Sequence, residues 1–212
     1  MWPCITIVDS PSNSPGSIPK PSTTISTTPS MTYLPHQHST SIRSIAQKIE
    51  YSPTTIYLYY KDKDAILYAL HTEGFQLLVS KMEVLNSVEN PFERLKAMGR
   101  IYLQFAADHP DYYDLMFVQK SPMNKLDEDH EVWKEGMSTF EGLKFSVQQC
   151  MDQGYLAFGD VEAGSYLLWA TLHGMCNLYD RGRCKVLDEE KSEQIVDLGF
   201  AEFLKMLDAF GS

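Results

Sequence analysis

Apolar residues recur at helical spacing through most of this chain. Ile66, Leu67, Leu70, Leu77 and Leu78 do so over 63–86, and the pattern breaks at Asn90-Pro91. Phe92, Leu95, Met98, Tyr102, Phe105 and Ala106 mark a second helix, ended by His109-Pro110. A short third helix is expected over 111–118, followed by a polar loop around Ser121-Pro122. Trp133, Met137, Phe140, Val147 and Met151 mark a longer helix ending near Gly154, and two more are predicted over about 161–181 and 189–210. No segment alternates as a strand would, and no internal repeat is visible. The expected fold class is all-α.

A shorter pattern precedes these helices. Ile42, Ile45, Ala46 and Ile49 sit at i, i+3, i+4 and i+7, one apolar stripe on a short helix that Thr40 or Ser41 can cap. Glu50-Tyr51 forms the turn. Ser52 caps a second helix, with Pro53 at its first position, where a missing N–H costs nothing. Ile56 and Tyr60 face inward, leaving Thr54, Thr55, Tyr57 and Tyr59 outward. Two short helices joined by a tight turn form a helix-turn-helix unit, whose second helix can enter the DNA major groove. Thr54 and Thr55 suit base edges and thymine methyls, while Tyr57, Tyr59 and Lys63 suit phosphates. Each residue also has a bland reading: Thr54 and Thr55 are ordinary helix-start residues.

The run Thr40-Ser41-Ile42-Arg43-Ser44-Ile45-Ala46, followed by Tyr51-Ser52-Pro53-Thr54-Thr55-Ile56-Tyr57-Leu58-Tyr59-Tyr60-Lys61-Asp62-Lys63, resembles the DNA-binding signature of the TetR family of bacterial transcriptional regulators. The resemblance covers roughly residues 40–70. It implies a recognition helix over 53–59, a phosphate contact at Lys63, and a homodimer reading two half-sites of a near-palindromic double-stranded operator. It also implies repression relieved by a small effector. The implied DNA-binding set is Thr40, Ser41, Arg43, Ser52, Thr54, Thr55, Tyr57, Tyr59 and Lys63. The stretch 170–174 after Trp169 is similar to a helix of one regulatory subgroup.

The N-terminal stretch departs from that family. A first amphipathic helix should precede Thr40, but residues 1–39 hold seven of the eleven prolines and many Ser and Thr. Proline excludes a long helix there, and so few apolar groups favour disorder. Three explanations stay open: a wrong start, a variant unit supported by helix 63–86 and the tail, or a regulator that no longer binds DNA. The expected organisation is therefore a Ser/Thr/Pro-rich tail over 1–39, an incomplete helix-turn-helix domain with its connecting helix over 40–86, and a larger helical regulatory and dimerisation domain over 87–212.

Charge sharpens this division. The chain carries 18 Lys and Arg against 28 Asp and Glu, a net −10. Residues 40–64 sum to +1 and 65–212 to −11. Whole-protein attraction to polyanions is thereby excluded, and DNA contact falls to the local motif. The four cysteines show no paired zinc-ligand spacing, and a reduced, cytoplasmic setting is expected. The opening residues lack a basic signal-peptide region. The longest uncharged run of the helical body, Ala163 to Tyr179, is too short for a membrane span.

The last two helices are apolar around most of their circumference, which points to dimerisation through 161–181 and 189–210. Phe105, His109, Tyr112, Met116, Trp133, Met137, Phe140, Trp169 and His173 are candidates to line a pocket for a small, mainly apolar effector; packing within the core is the competing reading for each. No nucleophile elbow, His-Glu-x-x-His run, phosphate loop or cofactor fingerprint occurs, so no catalytic residue, metal or cofactor is expected. The alternative function is a dimeric helical small-molecule-binding protein that has lost DNA binding.

Overall fold

Asp62 starts the first long helix. Its backbone is extended (φ −153°), and its carboxylate accepts the Ala65 N–H at 2.8 Å. This satisfies one of the orphan amides of the first turn. The computed structural model of the chain describes residues 54, 57–120, 122–123 and 133–210. Thr40, Ser41, Arg43, Ser52 and Thr55, and the tail expected over 1–39, lie outside the described residues.

Six α-helices follow in the described residues, with no strand among them. Helix α1 spans Lys63–Met82 and tightens into a 3₁₀ turn, Glu83–Ser87. Asn90 caps α2, Pro91–Asp108, accepting from the N–H groups of Phe92 and Glu93 at 2.9 and 3.1 Å. Pro91 stands at its first position, and Pro110 opens α3, Pro110–Phe117, directly after the His109 break. Helix α4, Lys134–Asp152, ends before Gly154, whose φ of 77° is left-handed and favours glycine. Asp160 caps α5, Val161–Asp180, through the Ala163 N–H at 2.7 Å. A 3₁₀ turn, Arg183–Val186, leads to α6, Glu189–Phe210.

These helices pack around two adjoining apolar clusters. The larger joins Phe75 and Leu78 of α1, Met98, Tyr102 and Phe105 of α2, Tyr113 and Leu115 of α3, Leu172 of α5 and Phe200 of α6. The smaller joins Phe92 and Leu95 to Val147, Cys150, Leu156, Leu168 and Leu207. Helix α2 passes close to α5 and α6 at Gly99, where a Cβ would fall 3.0 Å from the Phe200 ring and 3.2 Å from Leu172. Buried polar side chains fix the ends. The Arg94 guanidinium donates to the Val88 carbonyl at 2.8 Å and also to Gln149, and Arg181 pairs with the buried Asp114.

The final two helices behave differently from a pair buried on all sides. In α5 the face bearing Ser165, Leu168, Leu172 and Cys176 is buried. The other side leaves Tyr166 (61%), Leu167 (55%), Leu178 and Tyr179 exposed, and α6 exposes Leu198 and Met206. Within one chain, α5 buries one face only.

Candidate ligand cavity

Between α1, α2, α4, α5 and α6 lies a cavity of about 470 Å³. That is the scale of small-molecule sites, about 300–1,000 Å³. Phe75, Leu78 and Met82 supply the α1 wall, and Leu95, Met98 and Tyr102 supply the α2 wall. Trp133 stands just before α4 and Met137, Phe140 and Leu143 line it from that helix; Leu168, Trp169 and Leu172 come from α5, and Phe200, Phe203 and Leu204 from α6. The wall is therefore almost wholly apolar and aromatic, matched to a ligand whose main gain is removal from water. Lys96 and Glu162 are its charged members, and both are paired. Lys96 Nζ lies 2.7 Å from Glu93 and 3.7 Å from Asp208, and Glu162 lies 3.7 Å from Lys144.

The expected pocket residues divide between two places. Trp133, Met137, Phe140 and Trp169 line the cavity. Phe105 is fully buried in the core behind it, and His109 packs against Phe105 and Tyr112 with ring centroids 5.2 and 6.4 Å away. Tyr112 and Met116 press α3 onto α1 at Gly74, where a Cβ would meet both side chains. His173 sits behind the wall. Its Nδ1 is 2.6 Å from the Tyr113 hydroxyl and 3.2 Å from that of Tyr102.

The His173 group forms a closed hydrogen-bond chain. The Asn177 amide, 2.6 Å from Nε2, donates to it, so Nδ1 carries the proton and donates to the Tyr113 oxygen. Tyr113 donates onward to the His173 carbonyl at 3.3 Å, and the Trp169 indole donates to Tyr102 at 3.2 Å. Burial pushes both tyrosine hydroxyls above the ordinary phenol range and holds His173 below the usual imidazole range. All these groups are thus neutral near pH 7.

A second histidine was not among the expected pocket residues. His71 of α1 is 1% exposed, and neither ring nitrogen has a partner among the described residues. Its ring centroid lies 5.0 Å from Phe75 and 6.0 Å from Trp133. Burial lowers its pKa, against an opposing pull from Glu135. Its sequence signal was weak: a histidine at helical spacing between Leu67 and Phe75 on an otherwise apolar stripe.

At the other end of α1, Thr54, Tyr57 (57% exposed) and Tyr59 (70% exposed) present their side chains to solvent, and Lys63 is half-buried in the first turn. Among the described residues no helix is long and apolar enough to cross a membrane.

Solved structures share this architecture. A TetR family transcriptional regulator, PfmR from Thermus thermophilus, superposes with a TM-score of 0.59 at 19% identity, covering 78% of this chain and 88% of its own. The fatty acid degradation regulator FadR from Bacillus halodurans matches with a TM-score of 0.60 at 19% identity, over 76% of this chain and 84% of that one. The transcriptional regulator FadR from Bacillus subtilis, solved in complex with stearoyl-CoA, matches with a TM-score of 0.59 at 18% identity, over 76% and 87%. At these identities the likeness establishes the fold. No curated protein matches the sequence. The model of the tetracycline repressor-like C-terminal domain matches residues 95–203, from α2 into α6, which is more than half of the chain. With that regulatory domain enclosing an apolar cavity, the chain belongs to the TetR family of transcriptional regulators.

Proposed function

We propose that this protein is a ligand-responsive repressor that binds a near-palindromic DNA operator as a homodimer. The observation that supports the reading is that one helix runs from beside the exposed Tyr57 and Tyr59 to the cavity wall. Helix α1 opens at Lys63, beside the exposed Tyr57 and Tyr59, and its Phe75, Leu78 and Met82 wall the cavity. A molecule filling the cavity touches the lever that carries the DNA-binding head. It changes operator affinity to the extent that it binds the two head arrangements unequally.

The head would span 40–86 and the regulatory domain 87–212. Thr40, Ser41, Arg43, Ser52, Thr54, Thr55, Tyr57, Tyr59 and Lys63 are its proposed DNA contacts, with Thr54 and Thr55 at base edges and Tyr57, Tyr59 and Lys63 at phosphates. The exposed apolar side chains of α5 and α6 support a C2 contact between copies through those helices, and a reduced, cytoplasmic setting fits the reading. The effector is a small, mainly apolar molecule. Because the structurally similar Bacillus subtilis FadR was solved with stearoyl-CoA, long acyl compounds are the first class to try.

The test is selection of genomic DNA fragments on the purified chain, followed by a salt titration of the best binder. A near-palindromic site with steep salt dependence supports the reading. Lys63→Ala is expected to lower the slope of log affinity against log salt by about one. A folded dimer that selects no sequence would instead assign the chain to the alternative, a helical ligand-binding protein without DNA function.

A further inference from the structure

Two tryptophans line the cavity, and their indole N–H groups are treated differently. Trp169 donates to the Tyr102 hydroxyl at 3.2 Å. Trp133 Nε1 is buried and finds no acceptor among the described residues. The histidines divide the same way. His173 has a partner on each ring nitrogen, whereas His71, more deeply buried, has none on either among the described residues. Trp133 and His71 are neighbours, with ring centroids 6.0 Å apart, and Phe75 packs against both at 5.8 and 5.0 Å. Trp133 and Phe75 are cavity wall. Among the described residues the cavity wall therefore carries one unsatisfied buried nitrogen, Trp133 Nε1, and the two of His71 lie directly behind Trp133 and Phe75; native proteins rarely leave such groups unpaired.

The charge of this corner limits what can satisfy it. A buried neutral imidazole offers one donor and one acceptor, and the indole offers one donor. The Glu135 carboxylate stands beside them, receiving hydrogen bonds from Thr72 at 3.2 Å and Tyr68 at 3.4 Å. A second anion there would be repelled at close range in a poorly solvated setting. A neutral oxygen can accept from the Trp133 indole and bond one nitrogen of His71.

We propose that the Trp133–His71 corner is the polar end of the ligand site, and that it takes a neutral hydroxyl or carbonyl oxygen carried by an apolar chain lying in the cavity. This inference rests on reading the cavity as an effector site. It adds that the polar end of the effector bonds to α1 itself, through His71.

The test uses the full chain and displacement of the fluorescent probe ANS by octan-1-ol, octanamide, octanoate and octane. Trp133→Phe and His71→Phe are expected to weaken octan-1-ol and octanamide about three- to tenfold, the span of one neutral hydrogen bond, and to leave octane unweakened. Octanoate is expected to bind more weakly than octan-1-ol at pH 7. Trp169→Phe, whose indole is already satisfied by Tyr102, should shift the alcohol and the alkane alike. Equal losses for octan-1-ol and octane in Trp133→Phe, or no loss for either, would overturn the proposal and assign the corner to bound water. If no compound displaces the probe, the cavity reading falls and the inference falls with it. Selective loss of the alcohol without any ligand effect on operator binding would keep the corner and sink the repressor reading.

Discussion

His173 and His71 make an instructive pair. Each sits on a helix in the same core, each is held neutral by burial, and each has aromatic neighbours. Around His173, the Tyr113 hydroxyl and the Asn177 amide partner both ring nitrogens, and the side chain ties α3 to α5. Around His71 there are rings and no hydrogen-bonding partner on either nitrogen among the described residues. A satisfied buried polar group is explained by the fold that satisfies it. An unsatisfied one beside a cavity wall calls for an occupant, a ligand or an ordered water. Under the proposed ligand site, the first histidine belongs to stability and the second to binding.

Substitution should separate the two. The largest effect is expected from His173→Phe, which strands buried tyrosine hydroxyls and the Asn177 amide, at a cost of about 2 kcal/mol in urea unfolding. Tyr113→Phe removes one member of the chain and should cost about 1 kcal/mol in the same assay. His71→Phe replaces an unpartnered polar ring with an apolar one of similar shape. It should lie within about 0.5 kcal/mol of the parent protein or above it, because no hydrogen bond is lost. If His71→Phe costs as much as His173→Phe, the contrast fails and His71 has a structural partner.

The smallest expected effect is on pH dependence. Both histidines have folded-state pKa values below their ordinary ones. The unfolded chain therefore binds more protons than the folded chain as pH falls through about 6.5, the ordinary histidine pKa. Stability should be full above that pH and decline below it, read as a falling thermal midpoint from pH 7 to pH 5. The decline should flatten in both His71→Phe and His173→Phe. A parent midpoint that rises on acidification would contradict the neutral, buried state of both rings.

Helix ends were the most legible part of the sequence, because proline and glycine act there through their own backbone limits. Asn90-Pro91 and His109-Pro110 mark breaks in the structure, and Gly154 takes the left-handed conformation that follows α4. The continuation of α1 as a 3₁₀ turn left no such signal. Periodicity also shows which residues face inward, but not whether protein or empty space lies opposite. Phe105 and Phe140 read alike in the sequence, yet the first is packed on all sides and the second borders the cavity. For the same reason Phe75, Leu78, Phe200 and Phe203 could not be told from ordinary core. The polar corner was hidden more deeply, since an unpaired histidine is defined by what its neighbours lack. Of the DNA-binding face, Thr54, Tyr57, Tyr59 and Lys63 fall among the described residues, and the first three are exposed.

Coupling between the cavity and the DNA-binding head through α1 is what the proposed repressor depends on. Its most direct test is the affinity of the full chain for its selected operator, measured by fluorescence anisotropy with and without saturating octan-1-ol. The alcohol should weaken operator binding about 5- to 150-fold, the usual span of allosteric coupling, and operator DNA should weaken alcohol binding by the same factor. Operator affinity unchanged by an alcohol shown to fill the cavity would contradict the coupling.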